Sequence, residues 1–255
     1  MIKDNNNENN NLIVGRNAVL EAISSGRAID TLLVLKGERN GSIGRIIAEC
    51  REKGVVIKEV DKKKLDYMCN MGNHQGVAAF VAVHEYSELE DIFALAEERN
   101  EQPFIIVCDE LEDPHNLGAV IRTAECTGAH GVIIPKRRNA SLSWAVGKAS
   151  AGAVEYVPVV RVSNIPSCLE DLKKRGLWVY CADMDGNNWC ETDFSGAVAL
   201  VVGSEGRGVS RLVKEKSDFV VSLPMLGKIT SLNASVASSV LMYEVARQRL
   251  GIKAK

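Results

Sequence analysis

The sequence predicts an α/β protein of two domains, the larger built on a mostly parallel six-stranded sheet. Three observations predict it. Apolar runs of strand length alternate with longer segments of helical periodicity from Leu12 to Leu250. In the second half the strand runs are nearly continuous in Val, Ile and Leu, as expected when helices cover both faces of a sheet. Polar, glycine-bearing loops follow those runs, at the carboxyl edge where parallel sheets keep their ligands.

The bulk properties set limits. A chain of 255 residues, 46% apolar and 25% charged, is that of a globular protein with one or two cores. No apolar run approaches the roughly 20 residues that span a bilayer. Residues 1–11 are rich in Asn and lack a basic-then-apolar leader, so they are expected to form a disordered tail. Seven cysteines without a Cys-x-x-Cys pair imply reduced thiols and a cytoplasmic location, and with four isolated histidines they give no metal site. The net charge of −2 is unevenly spread. Residues 85–102 carry one basic and seven acidic residues, while residues 1–84 and 103–255 are each basic by two. Basic clusters at Lys62-Lys63-Lys64, at Lys136-Arg137-Arg138, and at Arg207, Arg211, Lys214 and Lys216 permit an RNA partner.

In chain order, a helix over 15–25 precedes a strand over 31–35. A helix over 42–53 ends at Gly54, then a strand spans 55–60 and a short helix 62–70. His74-Gln75-Gly76 leads into a strand over 77–83, which completes a small α/β domain, residues 12–84. The acidic segment 85–102 carries Leu89, Ile92, Phe93 and Ala96 at helical spacing and is expected to be a helical linker, with the boundary at Gln102-Pro103. The second domain, 103–255, has strands over 104–109, 131–135, 157–162, 177–182, 197–203 and 219–223. Its helices span 117–127, 143–153, 166–175, 209–217 and 234–250.

Three loops of this domain can converge at one sheet edge. The first, Asp113-Pro114-His115-Asn116-Leu117-Gly118, places Asn116 at a helix start and Arg122 six residues on, among apolar neighbours where an Arg usually has a fixed partner. The second is Gly203-Ser204-Glu205-Gly206-Arg207-Gly208. Its glycine spacing fits neither a P-loop nor the dinucleotide fingerprint, which argues against a nucleotide-cofactor oxidoreductase. The third runs from Leu223 through Met225, Ser231, Leu232 and Asn233 into the last helix. On that stretch alone Asn233 suits an N-cap better than it suits a ligand site, and the other loops shift that balance. Together the loops supply one carboxylate, one guanidinium, two Asn and one Ser. No Cys–His pair or Ser-His-Asp order is present, so the set favours polar recognition and positioning over hydrolysis.

In order and spacing, Asn116 with Arg122, Gly203-Ser204-Glu205-Gly206, and Leu223-Pro224-Met225 with Ser231-Leu232-Asn233-x-Ser235-Val236-Ala237 resemble the three motifs of the SpoU (TrmH) family of RNA ribose 2′-O-methyltransferases. The likeness covers residues 103–250. Gly15-Arg16-Asn17-Ala18-Val19 and His74-Gln75-Gly76-Val77 resemble the ribosomal-protein-like substrate-binding domain attached in one branch. Ala234 stands where Val is common, and Leu223 where Ile is common.

The resemblance implies a SPOUT fold with a trefoil knot, a last helix threaded through the third loop, and a homodimer with residues of both subunits at each site. It implies S-adenosylmethionine as methyl donor and no metal, with the donor held near Gly203, Gly206, Leu223, Met225 and Leu232. Arg122 is the residue it implies for activating the hydroxyl. Asn116 would orient Arg122 or the ribose, Glu205 and Asn233 would fix the geometry, and Ser231 would hold a phosphate. Lys136, Arg137 and Arg138, and Arg16, His74 and Gln75 of the first domain, would contact RNA. The implied target is a guanosine of 23S ribosomal RNA. A transfer-RNA guanosine and a non-catalytic ribosome-assembly role are the alternatives.

Overall fold

The protein is described here by a computed structural model covering residues 11–39 and 41–252. It forms two compact units, one running to Glu85 and including Ser141–Trp144, the other comprising Tyr86–Ala140 and the chain from Ala145 onward. Most of the tail expected over 1–11 lies outside the described residues. Asn11 does not: it is buried, and its carbonyl accepts from the Val81 amide.

The first unit contains β1 (Leu12–Val14), α1 (Arg16–Ser24), β2 (Ile29–Leu35), α2 (Ser42–Glu52), β3 (Val56–Val60), α3 (Lys62–Met68) and β4 (Val77–Val81). The sheet order is β1-β4-β2-β3, with only β2 and β3 parallel. Alternation along β2 decides which side each residue packs on. Leu32 and Val34 join Val19, Ile23, Ile43 and Ile46 of α1 and α2, while Leu33 meets Leu65 of α3 with Val60 and Ala78.

The second unit contains α4 (Leu89–Glu98), β5 (Phe104–Asp109), α5 (Pro114–Cys126), β6 (Gly131–Pro135), α6 (Trp144–Ala149), β7 (Val159–Val162), α7 (Ile165–Lys174), β8 (Trp178–Asn188), β9 (Val198–Gly203), α8 (Arg211–Lys216), β10 (Phe219–Ser222) and α9 (Ala234–Arg249). All six strands are parallel, in the order β10-β8-β9-β5-β6-β7. One face buries Ile105, Val107, Val179 and Val201 against Leu169 and Leu172 of α7 and Val213 of α8. On the other side α5 and α9 pack together.

Three segments depart from the sequence expectation. The acidic segment forms α4, but Ile92 is fully buried among Ile105, Ile133 and Val160, so the compact unit begins at Tyr86 rather than at Gln102-Pro103. Its charges face outward: Glu90, Asp91, Glu97 and Glu98 are all exposed. Helix α5 starts at Pro114, three residues early, because the Asp113 carboxylate caps the His115 amide at 2.8 Å and Pro suits a first-turn position. Strand β8 runs past Ala182 to Asn188, and Asn187 and Asn188 pair with Val221 and Ser222 across a register shift. Polar residues carry that extension, so apolar patterning misses it. Gly186 permits it: a Cβ there would stand 2.5 Å from the Val220 carbonyl carbon and the Val221 nitrogen.

Two nitrogen-bearing side chains, a half-buried Arg249 and a buried His130, close the start of β5. The Arg249 guanidinium donates to the carbonyls of Gln102 (2.8 Å), Pro103 (3.0 Å) and Gly196 (2.9 Å) and lies over the Phe104 ring. Burial pulls its pKa below the ordinary arginine value, but three carbonyl acceptors suit a cation that proteins do not deprotonate. The His130 ring is fully buried. Its Nδ1 accepts from the Phe104 amide at 2.9 Å, and its Nε2 faces Glu101 at 3.1 Å.

Burial holds His130 below its ordinary value of 6.5, with Glu101 opposing in part. The unfolded chain therefore binds this proton more readily than the folded one. Stability from this group is complete above pH 6.5 and declines as pH falls below that value. Thermal unfolding followed from pH 8 to pH 5 is expected to show this decline. His130→Phe should flatten that part of the profile and lower the melting temperature at pH 8, because the Phe104 amide loses its acceptor.

Candidate active site

The carboxyl ends of β9 and β10, the middle of β8 and the first turns of α9 surround a cavity of about 280 Å³. Its walls come from the β9–α8 loop (Gly203 to Gly208) and from Leu223, Met225, Thr230, Ser231 and Leu232 of the β10–α9 loop. Asp183 and Met184 add a third side. The first loop is drawn tight: Ser204 and Gly208 exchange both backbone hydrogen bonds, at 3.1 and 2.9 Å. Glycine at 203 makes this closure possible, since a Cβ there would overlap the Gly208 and Val209 backbone. Below the loop, the buried Asp109 carboxylate accepts from the Ser210 amide at 2.7 Å and anchors the start of α8.

At the rim, one carboxylate oxygen joins the three loops. Glu205 Oε1 accepts from Asn116 Nδ2 at 3.0 Å and from Asn233 Nδ2. Asn233 Nδ2 also donates to Asn116 Oδ1 at 3.0 Å. The other end of the Asn233 amide caps α9, where Oδ1 accepts from the amides of Ser235 and Val236 at 3.0 and 3.2 Å and from the Ser235 hydroxyl at 2.6 Å. Asn233 is therefore both N-cap and site residue. Asn116 caps nothing; it is buried within the first turn of α5, with its side chain committed to Glu205 and Asn233.

The remaining donors and acids sort by partner. Lys214 meets Asp183 at 3.0 Å and Asp185 at 3.4 Å, and bonding to Asp183 raises its pKa. Burial pushes the Cys181 thiol, one residue before the cavity wall, up to about 12, so it is no nucleophile. Among the described residues no group of three or more His, Cys, Asp and Glu is placed to hold a metal, and no helix is long and apolar enough to cross a membrane.

Residues 103–243 match the SpoU rRNA Methylase family, and residues 12–87 match the RNA 2′-O ribose methyltransferase substrate-binding family. The chain belongs to the SpoU (TrmH) family of RNA methyltransferases. It is 50% identical over 238 residues to YacO of Bacillus subtilis (strain 168), assigned to the TrmH family of tRNA/rRNA methyltransferases, covering 93% of this chain and 95% of that one. A TrmH family relative from Staphylococcus aureus (strain MSSA476) is 44% identical over 243 residues, covering 93% and 96%. A solved RNA 2′-O ribose methyltransferase shares 27% identity at a TM-score of 0.54, covering 94% of this chain and 88% of that one. The SpoU methyltransferase AviRb of Streptomyces viridochromogenes, solved with AdoMet, shares the fold at a TM-score of 0.59 and 24% identity, covering 94% and 90%.

Against the SpoU motifs, the fold brings together most of what the sequence singles out. Gly203, Glu205, Gly206, Leu223, Met225, Ser231 and Leu232 line the cavity, and Asn116 and Asn233 join them through Glu205. Arg122 does not join within this chain. It is exposed, and among the described residues it has no hydrogen-bond or ion-pair partner. Its apolar neighbours in sequence, Val120, Ile121 and Ala124, point into the core, while Arg122 occupies the opposite side of α5. Asn116 consequently does not orient Arg122 in the same chain. Asp183 was missed, although it directly follows an expected strand end, the position where a parallel sheet places ligand-facing groups.

The residues expected at an RNA surface are mostly engaged elsewhere. Arg138 pairs with Glu110 at 3.0 Å, Lys136 is half-buried, and Arg137 is exposed. Arg16 donates from Nε to the Gln75 carbonyl at 2.9 Å and meets Glu38 at 3.2 Å, and its amide bonds the Gln75 side chain. His74 is buried, with Nε2 at 2.8 Å from Asp66 and Nδ1 accepting from the Gly76 amide, so it shapes the loop.

Replacing Gly203 by Ala is expected to destabilise the fold by about 2 kcal/mol, because the loop must reopen around the new methyl. Gly206→Ala, at φ 81° but in open space, should cost only about 1 kcal/mol. Chemical denaturation of the two variants checks the order.

Proposed function

We propose that this enzyme transfers a methyl group from S-adenosylmethionine to a ribose 2′-hydroxyl of RNA, with a guanosine of 23S ribosomal RNA as the target and the chain working as a cytoplasmic homodimer. The observation that carries the reading is the Glu205 carboxylate, which joins all three motif loops at the mouth of the cavity. The family matches on both segments support RNA and ribose chemistry. AdoMet-bound structures of AviRb and of an rRNA methyltransferase from Sinorhizobium meliloti, which share the fold, support the donor. The threaded knot belongs to the same reading. A transfer-RNA guanosine is the alternative target.

The cavity fits such a donor. Its glycine-walled side leaves backbone groups exposed, Leu223, Met225, Leu232 and Leu241 supply apolar surface, and Asp183 and Glu205 supply negative charge for a cationic molecule. When bound, S-adenosylmethionine supplies an electrophilic methyl on a sulfonium that leaves as a neutral thioether. The protein's work is then positioning. Asn116, Glu205 and Asn233 hold the rim at fixed separations. Ser231, exposed beside them, offers a hydroxyl to a substrate phosphate.

The guanidinium of Arg122 stabilises the oxygen as its proton departs. It does so in the partner's site, because in its own chain it faces solvent away from Asn116. The dimer surface proposed is the outer side of α5 and α9. There Val236 and Tyr243 are exposed, and a groove of about 1110 Å³ passes Cys126, Ser239, Val240 and Tyr243.

Purified protein with labelled S-adenosylmethionine should methylate ribosomal RNA on ribose, and Arg122→Ala and Glu205→Ala should each abolish turnover. If Arg122 acts across the interface, mixing the two inactive variants restores roughly a quarter of the activity, since half of the dimers are mixed and carry one intact site each. Full turnover by Arg122→Ala alone would remove it from the mechanism. No gain on mixing would place it in its own chain's site. Mapping the 2′-O-methyl sites lost in a deletion strain identifies the RNA.

A further inference from the structure

In the first unit, lysines and acids divide sharply by partner. Glu38 meets Arg16, Glu59 meets Arg39 at 2.8 Å, Asp61 caps the Lys64 amide at 2.8 Å, and Asp66 meets His74. Every one of these carboxylates is engaged. Lys62, Lys63 and Lys64 are exposed on α3, and among the described residues their ammonium groups have no ion-pair or hydrogen-bond partner. Lys36 lies nearby, its amide bonded to the Val60 carbonyl at 2.9 Å just before α3, and its side chain is free in the same sense. One cluster of the second unit differs: Arg207, Arg211, Lys214 and Lys216 all meet carboxylates. A contiguous run of unpaired positive charge therefore lies along α3.

Two large side chains stand out beside it. Tyr67, four residues after Lys63 and therefore on the same helix side, is 83% exposed. Met71 is 78% exposed. The backbone displays Met71 at a cost, since Asn70 and Met71 both hold left-handed conformations, with φ of 49° and 59°. Left-handed strain, an outward Met, an outward Tyr ring and three free ammonium groups lie on one short stretch, with Lys36 beside its start.

We propose that α3 and the 70–72 turn form an RNA-docking surface on which an unpaired nucleotide stacks against Tyr67 and is flanked by Met71, while Lys36 and Lys62 to Lys64 hold the adjoining phosphates. The inference rests on the RNA-methyltransferase reading and adds to it a site and a mode: a splayed base in a loop or single strand, not a paired helix. An aromatic face takes any base. The lysines act as mobile point charges along the backbone.

The test titrates the full-length protein with a fluorescent oligoadenylate 20-mer and with a paired RNA duplex of equal length. The wild type should bind the single strand more tightly. Tyr67→Ala should weaken oligoadenylate binding about ten-fold with little change in salt dependence, and Tyr67→Phe should restore it. Replacing Lys62, Lys63 and Lys64 by Ser should lower the slope of log affinity against log salt by about two. Met71→Gly should weaken binding while leaving the melting temperature unchanged or raised, an outcome no purely structural role for Met71 would give. Undiminished binding by Tyr67→Ala, or preference of the wild type for the duplex, overturns the inference. Methylation of ribosomal RNA by the same preparations, measured in parallel, reports separately on the enzymatic reading.

Discussion

Three segments that are 89 and 28 residues apart in the chain meet on a single oxygen atom, Glu205 Oε1. The arrangement at the sheet edge depends on that meeting. A carboxylate can accept several hydrogen bonds, and two primary amides can each donate while keeping their own carbonyls for other work. Asn233 uses its carbonyl to begin α9, and Asn116 uses its carbonyl to receive Asn233. Loss of Glu205 or Asn233 removes partners from the buried Asn116 amide, which is then left with unmet hydrogen-bonding groups. The rim is therefore a closed network rather than three adjacent loops.

The parallel sheet places that network. All six strands end at one side, and the helices that follow β5, β9 and β10 start there. Capping and recognition consequently compete for the same positions in sequence. Asn233 resolves the competition by doing both, which is why neither reading of that residue excludes the other. Asp113 resolves it differently, capping α5 and so leaving Asn116 free to turn inward.

Much of this was legible in the sequence, for identifiable reasons. Strands buried on both faces announce themselves by apolar composition, and the order of the three polar loops after them carries the family. The misses have two causes: some turn on contacts distant in sequence, others on local geometry that composition does not reveal. The polar half of β8 is a strand only because β10 and Gly186 allow it. Helix α4 read as a linker from its charge, yet its inner face fills the space above β6 and β7 through Ile92. Arg122 read as a paired residue because linear neighbours were apolar, but a helix separates linear neighbours by about 100°. His74 read as a surface contact because nothing in its motif reveals that Asp66 will bury it.

The anchoring of Arg249 has a consequence for when, during synthesis, this protein becomes whole. Its three acceptors sit at the start of β5 and just before β9, and Gln102 precedes it by 147 residues. A growing chain that has already made β5 through β9 still lacks α9, Asn233 and this guanidinium. Until they emerge, the carbonyls of Gln102, Pro103 and Gly196 lack the guanidinium, although Pro103 already accepts from the Val198 amide, and Glu205 has one amide instead of two. The recognition edge therefore closes only after the rest of the parallel sheet has been made.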